Sequence, residues 1–269
     1  MKNLRPNCTA IEATGALVRT LLCAVLLLAG GAAWAGQVVG VVAHLSGPLM
    51  DRKADGSVKV LGPKSEVESG DTLVSEKNTY AQIRFIDNSE ITLRPGTTFK
   101  IENFAYEADK PDSDSAAFSL VKGGLRSITG LLGKRNKEKF SLKTPTATIG
   151  IRGTTFIAQW VDAPAQMPGE PVAPAAPGMP PPGMPAAGLA PGLHVAVLDG
   201  MIVVTNPGGS QHFPAGQFGY VPAVNQPPVV VPPHPALQFV PPPSFSGTGG
   251  PTASQGAAAQ QGGADCIVR

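Results

Sequence analysis

Few residues in this 269-residue chain have the types and spacing that chemistry needs. Nucleophilic catalysis requires a nucleophile, a base and a group that orients the base. The four histidines are His44, His194, His212 and His234. The sequence puts His44 and His212 at strand edges, His194 beside a linker and His234 in a C-terminal tail, so all four read as structural. Serines are plentiful, but no Gly-x-Ser-x-Gly elbow is present. Zinc would need closely spaced Cys and His ligands, which one retained cysteine, Cys266, and scattered histidines do not supply. Asp109, Asp112 and Asp114 offer the hard oxygens that calcium takes, without the glycine and distal acid of an EF-hand loop. Gly150 to Gly153 is too short for a phosphate loop and opens no helix. The expectation is a non-enzymatic chain with no cofactor and no metal.

Two features remain. Arg152-Gly153-Thr154 joins a five-donor side chain to a glycine, and between Ile151 and a turn it reads as holding that turn rather than a ligand. Residues 122–143 hold seven basic side chains, Lys122, Arg126, Lys134, Arg135, Lys137, Lys139 and Lys143, against one acid, Glu138. The centre, Gly130 to Lys139, reads as a mobile hairpin tip. Its Lys134, Arg135, Lys137 and Lys139 form the candidate contact surface, for phosphates or carboxylates of a cell envelope or an acidic protein face. Without interleaved aromatics this run does not fit a nucleic-acid groove.

The elements that must position these residues alternate with period two, the mark of strands with one side on a core. Lys139 to Trp160 reads as two strands joined by a tight, glycine-marked turn, with Phe156, Ala158 and Trp160 on one face. Val38 to Leu45 reads as a first strand. Asp55-Gly56 suits a hairpin turn between Leu49-Met50 and Val58 to Leu61. Ala81, Ile83 and Phe85 alternate with Gln82 and Arg84, and after Asp87-Asn88 the alternation resumes at Ile91 and Leu93. Phe118 to Leu125 is strand-like, and Leu193 to Leu198 and Met201 to Thr205 flank Asp199-Gly200. No clear helix follows residue 35. Many short strands with frequent turn signals predict an all-β fold: a twisted sandwich, roll or solenoid-like module.

The ordered blocks carry a resemblance. Thr144, Pro145, Ala147, Ile149, Arg152, Gly153, Thr154 and Phe156 match the best-marked segment of the FecR domain. Gly70-Asp71-Thr72-Leu73, the Phe85 to Leu93 hairpin, Val121 to Leu125, Leu198-Asp199-Gly200 and Pro214 to Gln217 fit the same family in order. The similarity runs from about Gly36 to Val221. It implies a periplasmic all-β module, tilted toward a solenoid-like stack. In that family the domain belongs to a transmembrane regulator that senses an outer-membrane receptor and controls a sigma factor. The resemblance gives the motif residues a structural role.

Composition sets the remaining bounds. Residues 1–35 read as a secretory signal: a basic leader with Lys2, Arg5 and Arg19, an apolar run Leu21 to Ala29, and Ala33-Trp34-Ala35 ahead of cleavage between Ala35 and Gly36. That run is shorter than the roughly 20 residues of a membrane-spanning helix. Removing it takes three of the 21 basic and one of the 19 acidic residues, which leaves charge balance and disfavours a polyanion binder. Cys8 and Cys23 leave with it. Residues 163–192, almost wholly Ala, Pro, Gly and Met, read as a disordered insertion within a 36–221 domain, and 222–269 as a disordered Pro/Gly-rich tail. The expected protein is periplasmic, secreted or on the cell surface, with no stable membrane span after cleavage. It binds or scaffolds an envelope protein. The alternative is a module for cell-wall glycan or peptidoglycan, or a structural surface protein.

Overall fold

Alternation along each strand becomes the packing rule of the whole molecule. In the computed structural model, which describes residues 36–163, 188–239 and 245, the strand residues that alternate inward close a single core. Ala81, Ile83 and Phe85 are buried while Arg84 is exposed, and Phe99, Ile101 and Phe104 repeat the pattern.

The chain passes back and forth between two layers. β1 (Val38–Leu45) lies in the first layer. The Asp55-Gly56 hairpin of β2 (Leu49–Arg52) and β3 (Val58–Leu61) lies in the second. β4 (Glu66–Glu68) returns to the first and β5 (Thr72–Ser75) to the second. The hairpin of β6 (Ala81–Phe85) and β7 (Glu90–Leu93) joins the first layer, and β8 (Thr98–Ala105) the second. β9 (Ser115–Ile128) belongs to both. Its first half pairs with β8 and, in parallel, with β10 (Phe140–Lys143). Its second half pairs with β7 and with β12 (Thr155–Val161). β11 (Thr148–Ile151), β14 (Met201–Asn206) and β15 (Gly209–Pro214) complete the second layer, and β13 (Gly192–Asp199), β16 (Phe218–Val221) and β17 (Val229–Val231) the first.

The first layer therefore runs β4-β1-β6-β7-β9-β12-β13-β16-β17, and the second β3-β2-β5-β8-β9-β10-β11-β14-β15. It is one open mixed sheet, folded on itself at β9. The fold falls at Gly123-Gly124. Gly123 has φ +82°, and a Cβ there would lie 2.6 Å from Thr97 Oγ1. Thr97 clamps the bend: its hydroxyl donates to the Gly124 carbonyl at 2.9 Å and accepts from the Gly124 N–H at 3.0 Å. Phe118, on β9, stacks at 5.4 Å on Phe99 of the second layer and meets Phe85 of the first at 5.3 Å.

Three expectations change. Lys139 to Trp160 forms three strands, not two, and β11 and β12 do not pair with each other. Gly130 to Lys139 is not a mobile hairpin tip. It is a crossover between parallel neighbours β9 and β10, a connection that cannot be a tight turn. It folds as a short helix, α1 (Leu131–Arg135), and a 3₁₀ turn at Lys137–Lys139, with Leu132 buried. The tail from 222 is ordered to 239: β17 pairs with β16, and a 3₁₀ turn at Pro235–Leu237 follows. Of the expected 163–192 insertion, residues 188–192 lead into β13, which begins at Gly192. The expected signal to Ala35, the insertion over 164–187 and the tail beyond 239, save 245, lie outside the described residues. Among the described residues no helix is long and apolar enough to cross a membrane.

Candidate functional site

The motif Thr144 to Phe156 is built into a corner where two layer crossings meet. Thr144 closes the β10–β11 hairpin around Pro145: its hydroxyl donates to the Ala147 carbonyl at 2.8 Å and accepts from the Ala147 N–H at 3.1 Å. Ala147 and Ile149 are buried. At Arg152-Gly153-Thr154 the chain leaves the second layer for the first, and at Asp199-Gly200 it returns. Thr154, 2% exposed, ties the two crossings. Its hydroxyl donates to the Met201 carbonyl at 2.6 Å and accepts from the Arg152 N–H at 3.2 Å. Its own N–H donates to Thr129 Oγ1 at 2.9 Å, and that hydroxyl donates back to the Thr154 carbonyl at 2.7 Å. Phe156 is fully buried in the core. The Arg152 side chain is exposed and has no hydrogen-bond partner among the described residues; it holds the corner through its backbone, not its guanidinium.

The basic crossover divides into two kinds of cation. Arg135 is fixed. Its guanidinium donates to both Asp114 oxygens, at 2.7 and 2.6 Å, and to the Ala108 carbonyl at 2.7 Å, and it lies 4.6 Å from the Tyr106 ring centre. Asn136 adds a bond to Asp114 at 2.8 Å. The hydrogen bonds from Arg135, first among the causes, hold the buried Asp114 carboxyl below the usual carboxylate range. Asp114 is therefore the anchor of the crossover rather than one member of a calcium-binding trio, while Asp109 and Asp112 are exposed. Lys134, Lys137 and Lys139 are exposed around it. The structure thus keeps three of the four expected contact residues at the surface and assigns the fourth to the fold.

A second buried charge cluster escaped the sequence reading. Lys53 Nζ lies 2.7 Å from Asp71 Oδ2 and 3.2 Å from both Asp51 Oδ2 and Glu68 Oε2. Asp51 is fully buried, and neither of its oxygens has a hydrogen bond among the described residues. Burial, with the Asp71 charge beside it, pushes its carboxyl up. Burial works against the Lys53 charge, but the surrounding carboxylates outweigh it and hold the ammonium on. Asp71 also accepts the Glu68 N–H at 2.7 Å and so locks the β4–β5 turn.

The outer face of the first layer carries a feature of a different kind. Ile157 and Ala196 point away from the main core, yet both are buried. Leu237 covers them, with Leu189, Phe218 and Phe239 around it. Arg94, at the end of β7, reaches over the same face. It donates to Gln159 Oε1 at 2.8 Å, to the Ala236 carbonyl at 3.2 Å and to the Gln238 carbonyl at 2.8 Å, and lies 5.5 Å from the Phe239 ring centre. His194 stacks on Tyr220 at 4.6 Å, with its Nε2 2.7 Å from the Ala190 carbonyl, while the Tyr220 hydroxyl donates to Pro191 at 2.7 Å. Burial lowers the His194 pKa. The one available signal for this face was Ile157, apolar on the strand side that alternation assigns to solvent.

Residues 71–167, just over a third of the chain, match the family model described as FecR protein. No curated protein matches the chain at a significant level. Among solved structures, a cell surface anchoring domain aligns at 19% identity and TM-score 0.23, over 23% of this chain and 83% of its own. A candidate anti-sigma factor from Parabacteroides distasonis aligns at 13% identity and TM-score 0.39, over 60% of this chain. The alignment spans 58% of that structure's length.

Proposed function

We propose that this chain, whose residues 71–167 match the FecR family model, is an envelope-associated, non-enzymatic module that binds or scaffolds another protein outside the inner membrane. One observation carries this reading: the hydroxyls of Thr144 and Thr154 in the motif serve the corner itself, so recognition falls to the outer surfaces. Those surfaces offer the lysines of the crossover and, beneath residues 232–239, an apolar face with an arginine beside it, which suits a macromolecule better than a small substrate. The glycan alternative needs free rings on which sugars stack. Trp160 packs on the core and donates to Asp162 at 2.8 Å, Tyr106 lies under Arg135, and Tyr220 is stacked on His194. Export through residues 1–35 belongs to the same proposal.

The test is chemical cross-linking of tagged protein in intact envelope, read by mass spectrometry, with Lys134, Lys137 and Lys139 changed to Glu. Arg135 is left in place because it holds the fold. A specific envelope protein, recovered with wild type and lost or reduced in the variant, supports the reading. Recovery only with wall glycan, released by a wall-degrading enzyme, overturns it.

A further inference from the structure

Residues 232–239 cross the outer face of the first layer from β17 at its edge to Arg94. The path passes over β16, β13, β12 and β9, about five strand spacings or roughly 24 Å at ~4.8 Å each. The chain is extended at His234 and Gln238, on either side of one 3₁₀ turn at Pro235–Leu237 that seats Leu237 on this face. The segment Pro-Pro-His-Pro-Ala-Leu-Gln-Phe suits that path: Pro235 opens the turn, His234 Nδ1 accepts from the Ala236 N–H at 3.2 Å, and the flanking His234 and Gln238 are extended.

Its contacts have the form of peptide recognition. Arg94 is half-buried with no carboxylate partner among the described residues, and its guanidinium is met by oxygens of Gln159, Ala236 and Gln238. Two of these are main-chain carbonyls, of Ala236 within the 3₁₀ turn and of Gln238 just after it, so Arg94 reads the backbone of the turn rather than a side chain. Side-chain selection comes from two positions. Leu237 is 1% exposed in the pocket of Ile157, Ala196, Leu189 and Phe218. Phe239, two residues on, sits between Arg94 and the edge of Tyr80, 6.0 Å away. No ion pair joins residues 232–239 to the layer beneath among the described residues.

We infer that this face is a docking groove for a proline-flanked Leu-x-Phe segment of a partner protein that makes the same single turn, and that residues 232–239 are a tethered occupant which the partner's segment displaces. The inference rests on the binding-module reading and names its surface. A tethered occupant lowers the apparent affinity for a free ligand by the fraction of time the groove is open. Its direct continuity with β17 holds it at high effective concentration.

The probe is a fluorescent peptide of residues 231–240, titrated by anisotropy into the full chain. Leu237→Ser with Phe239→Ser empties the groove without removing chain. This double variant should bind the peptide at least tenfold tighter than wild type, and adding Arg94→Ala should abolish the gain. A folded double variant that binds no better than wild type overturns the groove. So does a wild-type dimer that the double variant converts to monomer without gaining peptide affinity, since the occupant would then be exchanged between copies. Should the double variant lose its fold, wild type answers by hydrogen exchange. Excess peptide must speed exchange at the Leu237 and Gln238 amides and leave β12 protected, and unchanged exchange overturns the inference. Failure here leaves the envelope cross-linking result standing, because that experiment reads the lysine surface.

Discussion

At the residue scale, the motif shows how a polar signature can be wholly architectural. Arg152, Gly153 and Thr154 read as one unit in sequence, but they divide by what each touches. Thr154 bonds both crossings, whereas Arg152 contributes its backbone. Gly153 has φ +64° with open space where a Cβ would stand, while a Cβ on Gly200, at φ +76°, would collide with the Gly153 carbonyl. The two glycines should therefore respond differently. Gly153→Ala bears only the left-handed backbone penalty, about 1 kcal/mol. Gly200→Ala adds a clash with rigid backbone and should lose about 3 kcal/mol or more, the range of overpacked sites and strained backbone. Urea denaturation of both variants checks the order; equal losses would show that the corner relaxes.

At the scale of elements, the α1 crossover carries the main change from the sequence reading. Seven basic residues near one acid suggested a solvated tip. The decisive partner, Asp114, lies 21 residues before Arg135, in a segment whose three aspartates suggested calcium oxygens rather than an ion pair. Arg135→Ala should clearly lower the denaturation midpoint, because it strands a buried carboxylate. Lys134→Glu, Lys137→Glu and Lys139→Glu should each stay within about 0.5 kcal/mol, as exposed substitutions do. The pH dependence follows from the sign of the shift. Asp114 is held below its unfolded value, so its stabilisation is complete above the usual carboxylate range and fades as pH falls through it. Asp114→Asn should therefore flatten the acid limb of stability against pH, measured by denaturant midpoints between about pH 3 and 7. An unchanged limb would mean that the clamp is not ionic.

At the scale of the whole molecule, the two layers share β9 and one core, so neither should unfold alone. Phe118 touches Phe85, Phe99, Phe104 and Phe140 across both layers. Phe118→Ala should lose about 3–5 kcal/mol. Trp160 fluorescence, which reports the first layer, and far-UV circular dichroism should still give coincident transitions. Separated transitions would show two independent units.

The sequence by itself determined the strand character, the β2–β3 and β6–β7 hairpins and the family motif. Each rests on local signals: period-two burial, Asp-Gly and Asp-Asn turns, and a block of adjacent residues. Tertiary structure alone decided which strands pair beyond those two hairpins. Whether a glycine turn closes a hairpin, as Gly56 does, or passes the chain between layers, as Gly153 and Gly200 do, depends on partners far along the chain. It also decided that residues 222–239 are ordered. Their prolines and lack of charge predict an unfolded tail when read alone, because such a segment cannot bury a core of its own. Here the core is supplied by Ile157 and Ala196 beneath Leu237, and the hydrogen bonds by Arg94. A segment of this kind is fixed by the surface it meets, and that surface is assembled only when β9, β12 and β13 lie side by side.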